Sequence, residues 1–257
     1  MKLLIKNFDR KYLFGIISKI WEIYKFFKQR YEISKITPLP AKVSELFDLY
    51  TRYDFFKRAQ YYLQVNRIDG IYMEFGSHEV NTFRMALNTL GLPGKPNKIS
   101  RFYAFDSFEG MPKPEGIDEQ KIWRESMNFT SLESFLKIVK NDLYRVEAIK
   151  GFYNISLPKF KLKSEEKIAL AYIDCDYYSS TTECLNFIKD KLQHGCLLVF
   201  DDWDCYYADP KRGHRLAFHE FKNQMRETHC FEELCDIQSG GKCFVSLELN
   251  KIGSKIL

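Results

Sequence analysis

The residues able to do chemistry in this chain are acids that follow apolar runs. "LAYIDCDYYSS" (170–180) ends in Asp174 and Asp176, and "LLVFDDW" (197–203) in Asp201 and Asp202. "GIYMEFG" (70–76) carries Glu74 and Gly76, and "RFYAFDSF" (101–108) carries Asp106. One aspartate after a strand is ordinarily a helix cap or a turn residue. Four strand ends with the same chemistry demand more, because uncompensated carboxylates repel and raise one another's pKa. A hard divalent cation resolves the conflict: Asp174, Asp201 and Asp202 offer oxygen ligands and leave octahedral positions for water or substrate. Asp106 stands where nucleotide-binding sheets place the acid that accepts both hydroxyls of a ribose.

For these acids to meet, the runs must be neighbouring strands. Strands are predicted at 70–76, 101–108, 146–151, 168–174 and 196–202, with a terminal pair in "FEELCDI" and "KCFVSLEL". Helical patterns lie between them: "EVNTFRMALNTLG" closed by Gly91, "TSLESFLKIVKND" opened by a capping box from Thr130 to Glu133, "STTECLNFIKDKLQ" and "HRLAFHEFKNQMRE". Continuous apolar strands alternating with helices specify an α/β fold, a mainly parallel sheet covered on both faces. Its ligands bind beyond the carboxyl ends of the strands.

The polar stretch 109–129 is too long for a plain connection and has the character of a lid. Trp123 within it either closes over an acceptor or anchors the loop. Tyr177 and Tyr178 either shape a pocket or cover the sheet edge, and His214 and His219 read as surface or packing residues ahead of catalytic ones.

At 257 residues the chain accommodates one α/β domain with a helical appendage. The boundary is set at 64/65, with residues 1–64 as an N-terminal helical extension or lid and "ISKITPLPAK" as a linker. Residues 1–30 carry eight basic and two acidic side chains, +6 of the net +5, which leaves the remainder at 5 − 6 = −1. A nearly neutral body argues against nucleic acid as partner. The basic amphipathic segment "KYLFGIISKIWEIYKFFKQRY" is too interrupted by charge to span a bilayer. It packs on its own domain or a second subunit, or attaches to an anionic membrane surface. A homo-oligomer is expected. Seven cysteines, all in the last third and with no CxxC pair, read as reduced thiols in a cytoplasmic protein.

"YMEFG", "FYAFDSFEGMP", "IKGFYNISLP", "LAYIDCDYYSST", "LLVFDDW" and "HRLAFHEF" resemble, in order and spacing, the macrocin O-methyltransferase family of metal-dependent sugar methyltransferases that use S-adenosylmethionine. The resemblance runs over about residues 65 to 225, and its most specific pieces are "DSFEGMP" and the DxD-then-DD arrangement. It implies a class I methyltransferase fold, a Rossmann-like seven-stranded sheet with the last strand antiparallel. Carried over by position, Glu74 and Gly76 line the methionine end of the cofactor, Asp106 and Ser107 hold the ribose, and Lys150, Gly151 and Phe152 lie near the adenine. Asp174, Asp201 and Asp202 become the ligands of Mg²⁺ or Mn²⁺, and Asp176 the general base. The acceptor implied is a saccharide or a glycosylated product.

One departure stands out. Where family members have a glycine pair after the first acidic-x-Gly element, this chain has Val80 and Asn81. Two rival readings remain at this point: a DxD glycosyltransferase holding a metal and a nucleotide sugar, and a degenerate methyltransferase fold kept as an assembly partner.

Overall fold

A computed structural model describes residues 43–92, 97–237 and 240–253. The readings of residues 1–30 and of the linker at 33–42 lie outside the described residues. Two compact units divide at 50/51. Of the first, the described part is helical, residues 43–50.

Helix α1 (Val43–Val65) leads into β1 (Gly70–Phe75), followed by α2 (Asn81–Thr89), β2 (Ile99–Asp106), α3 (Leu132–Ile138), β3 (Val146–Lys150) and the single turn α4 (Tyr153–Ser156). Then come β4 (Ile168–Ile173), α5 (Tyr178–Ile188), β5 (Cys196–Phe200), α6 (Gly213–Met225), β6 (His229–Ile237) and β7 (Gly241–Glu248). The sheet has the order β3-β2-β1-β4-β5-β7-β6. The first five strands pair in parallel, and β7 pairs antiparallel with both β5 and β6, so the last strand alone runs against the others. Every predicted strand is present, with ends moved by two residues at most.

Alternation along β1 shows how both faces are filled. Ile71, Met73 and Phe75 join Leu185 and Ile188 of α5 and Phe218 and Phe221 of α6 in one core. Tyr72 turns the other way, against Phe56 of α1, Phe83 of α2 and Phe102. Burial on both sides is why these strands read as unbroken apolar runs: all six residues of β4 are buried. Each fully buried large apolar side chain contributes about 1.5–3 kcal/mol.

Register then fixes the functional edge. Phe75 pairs with Phe105 and with Ile173, and Ile173 pairs with Phe200, so Gly76, Asp106, Asp174 and Asp201 follow the last paired residues in a row. The ladder continues one step further, with Gly76 N–H donating to Phe105 O, Asp174 N–H to Phe75 O and Asp201 N–H to Ile173 O at 2.9–3.0 Å. Gly76 has φ +91, and a Cβ there would lie 1.8 Å from the Asp174 carbonyl oxygen. Only glycine lets the ends of β1 and β4 approach this closely.

The capping box reads one residue early. The N-cap of α3 is Ser131, whose hydroxyl accepts from Ser134 N–H at 3.2 Å. Thr130 instead accepts from Glu79 N–H at 3.0 Å, tying this corner to the loop after β1.

Candidate active site

Asp174, Asp201 and Asp202 each present one carboxylate oxygen such that all three atoms lie within 4.8 Å of one another. Burial, then the neighbouring carboxylates, push Asp174 well above the ordinary carboxylate range, and Asp202 likewise, with Asp176 the strongest of the charges acting on it. Such a set of hard oxygen donors, short of positive charge, fits a divalent cation of the Mg²⁺ kind. Asp176 occupies the tight turn beyond β4 at φ 59, its N–H donating to Asp202 Oδ2 at 3.2 Å. Burial, with Cys175 and Asp201 nearby, raises it to about 7.

Asp201 has partners that no local pattern in the chain marks. Arg52 of α1 donates through Nε to Oδ1 at 3.2 Å and through Nη2 to Oδ2 at 2.7 Å. The hydroxyl of Tyr172 donates to Oδ1 as well.

Beside this cluster opens a cavity of about 420 Å³ whose wall includes Gly76, Asp106, Ser107, Phe152, Asp174 and Asp176. Six of the residues singled out by sequence are thus together on one wall. His78, in the short turn after β1, and Asn154 and Ile155 of α4 line it too, none of them singled out from the sequence. Asp106 Oδ2 accepts from Ser77 N–H at 2.7 Å and Oδ1 from Phe108 N–H at 2.6 Å. Oδ2 keeps a lone pair for a further donor such as a ribose hydroxyl, while Oδ1 also stands 3.5 Å from Ser107 Oγ, whose shorter bond, 2.6 Å, is to Gly110 O. Burial raises the Asp106 pKa, opposed by those two backbone bonds.

Glu74, Lys150, Gly151, Asp201 and Asp202 stand outside the cavity wall, the last two joined to it through Asp174. Glu74 is fully buried and accepts from the Tyr72 hydroxyl and from Thr82 Oγ1, the latter at 2.9 Å. Lys150 pairs with Glu109 at 2.9 Å on the exposed side.

A family model of the macrocin O-methyltransferases, TylF, matches residues 50–238, most of the chain. The chain belongs to this family. Its activity is S-adenosylmethionine-dependent O-methyl transfer to a sugar hydroxyl. Among solved structures, the calicheamicin methyltransferase CalS11 is similar at 20% identity, with 88% of this chain and 93% of that one covered and a TM-score of 0.59. The O-methyltransferase NovP is similar at 19% identity over 77% and 80%, with a TM-score of 0.57. At these identities the likeness establishes the class I methyltransferase fold. No curated protein sequence matches the chain.

Of the two positions at which the resemblance implies glycine, Val80 is left-handed at φ 63, as is Glu79 before it at φ 57, whereas Asn81 is right-handed at φ −68. A β-branched residue in that region costs on the order of 1–2 kcal/mol. Val80 is fully buried, and Glu79 holds Asn81 Nδ2 at 3.0 Å and is held by Thr130, which offsets the strain.

The long loop 109–129 is fastened at three points. The Asp118 carboxylate accepts from Tyr178 N–H at 2.7 Å and Ser179 N–H at 3.2 Å, capping α5 from sixty residues away. Arg212 Nη2 donates to the carbonyls of Ile117 and Glu119 at 2.8 Å. Trp123 packs on Tyr177 and Tyr206, so of its two readings the anchoring one is observed. Asp118→Ala removes the acceptor for two helix-end N–H groups immediately after Asp176. A stability loss of about 1–2 kcal/mol is expected, with faster proteolysis within 109–129. An unchanged melting temperature would mean that Arg212 and Trp123 suffice.

His219 is exposed beside Asn223, as expected of a surface histidine. His214 is buried, its ring tilted against Phe200 at 5.6 Å, with Nε2 3.9 Å from Asp202 Oδ2. It combines a packing role with proximity to the acidic cluster.

Proposed function

We propose that this enzyme methylates a hydroxyl of a nucleotide-linked or glycosidic sugar with the help of a divalent metal, Mg²⁺ or Mn²⁺, held by Asp174, Asp201 and Asp202. The observation that carries the reading is the convergence of these three carboxylates, one of which, Asp174, also lines the cavity that contains Gly76 and Asp106. CalS11 is described as a TDP-rhamnose 3'-O-methyltransferase, which makes nucleotide-linked deoxysugars the first acceptors to try.

A free alcohol is a weak nucleophile near neutral pH. A divalent cation in this donor set supplies charge that stabilises the developing oxyanion, much as it lowers the pKa of water. S-adenosylmethionine supplies the electrophilic methyl group. The chain's own residues do the rest. Asp106 orients the cofactor by accepting from its ribose, Ser107 and Phe152 complete that wall, and Asp176 takes up the proton leaving the acceptor. Glu74, Lys150 and Gly151 act on the cofactor indirectly, by shaping the strand ends. Seven free cysteines fit a reducing cytoplasm.

Calorimetric titration of ligand-stripped protein tests the reading. Saturable binding of S-adenosylhomocysteine is expected, lost in Asp106→Ala. Methyl transfer to a panel of nucleotide-linked and free deoxysugars is expected to stop in EDTA and return with Mg²⁺. Activity indifferent to EDTA would remove the metal, and binding of UDP with Mn²⁺ in place of S-adenosylhomocysteine would overturn the cofactor assignment.

A further inference from the structure

Asp201 is an unusual metal ligand, because its carboxylate is already committed. Oδ1 accepts from both Tyr172 and Arg52 Nε, and Oδ2 accepts from Arg52 Nη2. Of the four in-plane lone pairs of a carboxylate, one on Oδ2 is left. The pair is well sheltered, with side-chain exposures of 22% for Arg52 and 6% for Asp201. A bidentate, partly desolvated Arg–carboxylate pair is among the stronger ion pairs a protein makes.

Among the described residues, the ion pairs of the acidic cluster are this one and the looser contact of His214 with Asp202 at 3.9 Å. Arg52 also lies within electrostatic reach of Asp174. Its guanidinium is therefore the main fixed positive charge among Asp174, Asp176, Asp201 and Asp202.

We propose that Arg52 is a built-in counter-cation that competes with the divalent ion for Asp201, so that loading the metal frees Arg52 from the end of β5. The inference rests on the metal reading above and goes beyond it by making α1 responsive to the metal. A dication at the cluster neutralises the same carboxylates and repels the guanidinium across a low-dielectric gap. In its absence Arg52 keeps the strand end from flying apart under like-charge repulsion.

A purely structural Arg52, one that orients Asp201 as an outer-shell partner, makes the opposite prediction: its loss would weaken metal binding by about 10–100-fold. The experiment titrates wild type and Arg52→Gln with Mn²⁺, following free Mn²⁺ by electron paramagnetic resonance, and melts both without metal. Arg52→Gln is expected to bind Mn²⁺ about tenfold or more tightly than wild type and to melt at a lower temperature when metal-free. If wild type binds and Arg52→Gln binds equally or more weakly, the competition is overturned while the metal site stands. If neither binds, the metal reading falls and this inference with it.

Should Arg52→Gln fail to fold, wild type alone decides by amide hydrogen exchange. Mn²⁺ is expected to speed exchange in residues 51–57 while slowing it at 174–176 and 201–202. Slower or unchanged exchange in 51–57 alongside protection at the strand ends overturns the proposal.

Discussion

Asp176→Asn is expected to lower methyl transfer by roughly 10³-fold, within the range that a positioned general base supplies. Asparagine is nearly the same shape and hydrogen-bonds similarly, yet it cannot take up the proton that leaves the acceptor hydroxyl. It also tolerates the left-handed backbone required at this position, φ 59, about as well as aspartate does, so the turn beyond β4 keeps its form. The backbone N–H bond to Asp202 Oδ2 does not involve the side chain and survives. An affinity for S-adenosylhomocysteine within about threefold of wild type therefore separates a lost base from a lost fold. Because the substitution deletes one of several clustered, mutually repelling carboxylates, the metal-free variant should melt no lower than wild type. Initial rates with radiolabelled S-adenosylmethionine and the same acceptor panel decide the matter. Turnover within about fivefold of wild type would take Asp176 out of the reaction and leave the metal cluster to activate the hydroxyl unaided.

Most of what positions this site is legible in the sequence, for a physical reason. Strands covered on both faces must be apolar throughout, so they announce themselves, and the first polar residues after them mark the carboxyl edge. Parallel register aligns those edges, which is why Asp106, Asp174 and Asp201 could be grouped before any contact was known. What the sequence hid depends on tertiary contact. Arg52 reaches Asp201 across 149 positions and Asp118 caps α5 across sixty, with nothing in the local pattern to mark either. The capping box failed by one residue because Thr130 found a better partner in the loop after β1. Glu74 looked like its neighbours at the other strand ends, but strand alternation sends it to the face where Tyr72 and Thr82 enclose it. Val80 is the reverse case: composition argued against a left-handed turn, and full burial of its side chain holds the turn nonetheless.

Enclosure of Glu74 carries the second large effect. Burial raises its pKa from the ordinary value to about 8, against the opposing pull of hydrogen bonds from Tyr72 and Thr82. Folded protein therefore binds this proton more tightly than unfolded chain does. Its contribution to stability is complete below the unfolded pKa of about 4.3, declines as pH rises, and is gone once pH passes the folded value. Over that window a shift of this size corresponds to a loss on the order of 5 kcal/mol. Asp174 and Asp202 shift in the same direction, so the pH profile of wild type sums several groups. Glu74→Gln isolates one of them. The amide fills the same space, and because Tyr and Thr hydroxyls both donate and accept, its NH₂ can donate where a carboxylate oxygen once accepted. Urea unfolding is expected to place the variant within about 1 kcal/mol of wild type at pH 4, about 2 kcal/mol above it at pH 6 and about 5 kcal/mol above it at pH 9. Parallel profiles for the two proteins would mean that Glu74 is ionised in the fold at neutral pH. The two hydroxyls would then be stabilising a buried charge, and the Glu74 carboxylate would join the repulsive field at the strand ends that Arg52 offsets.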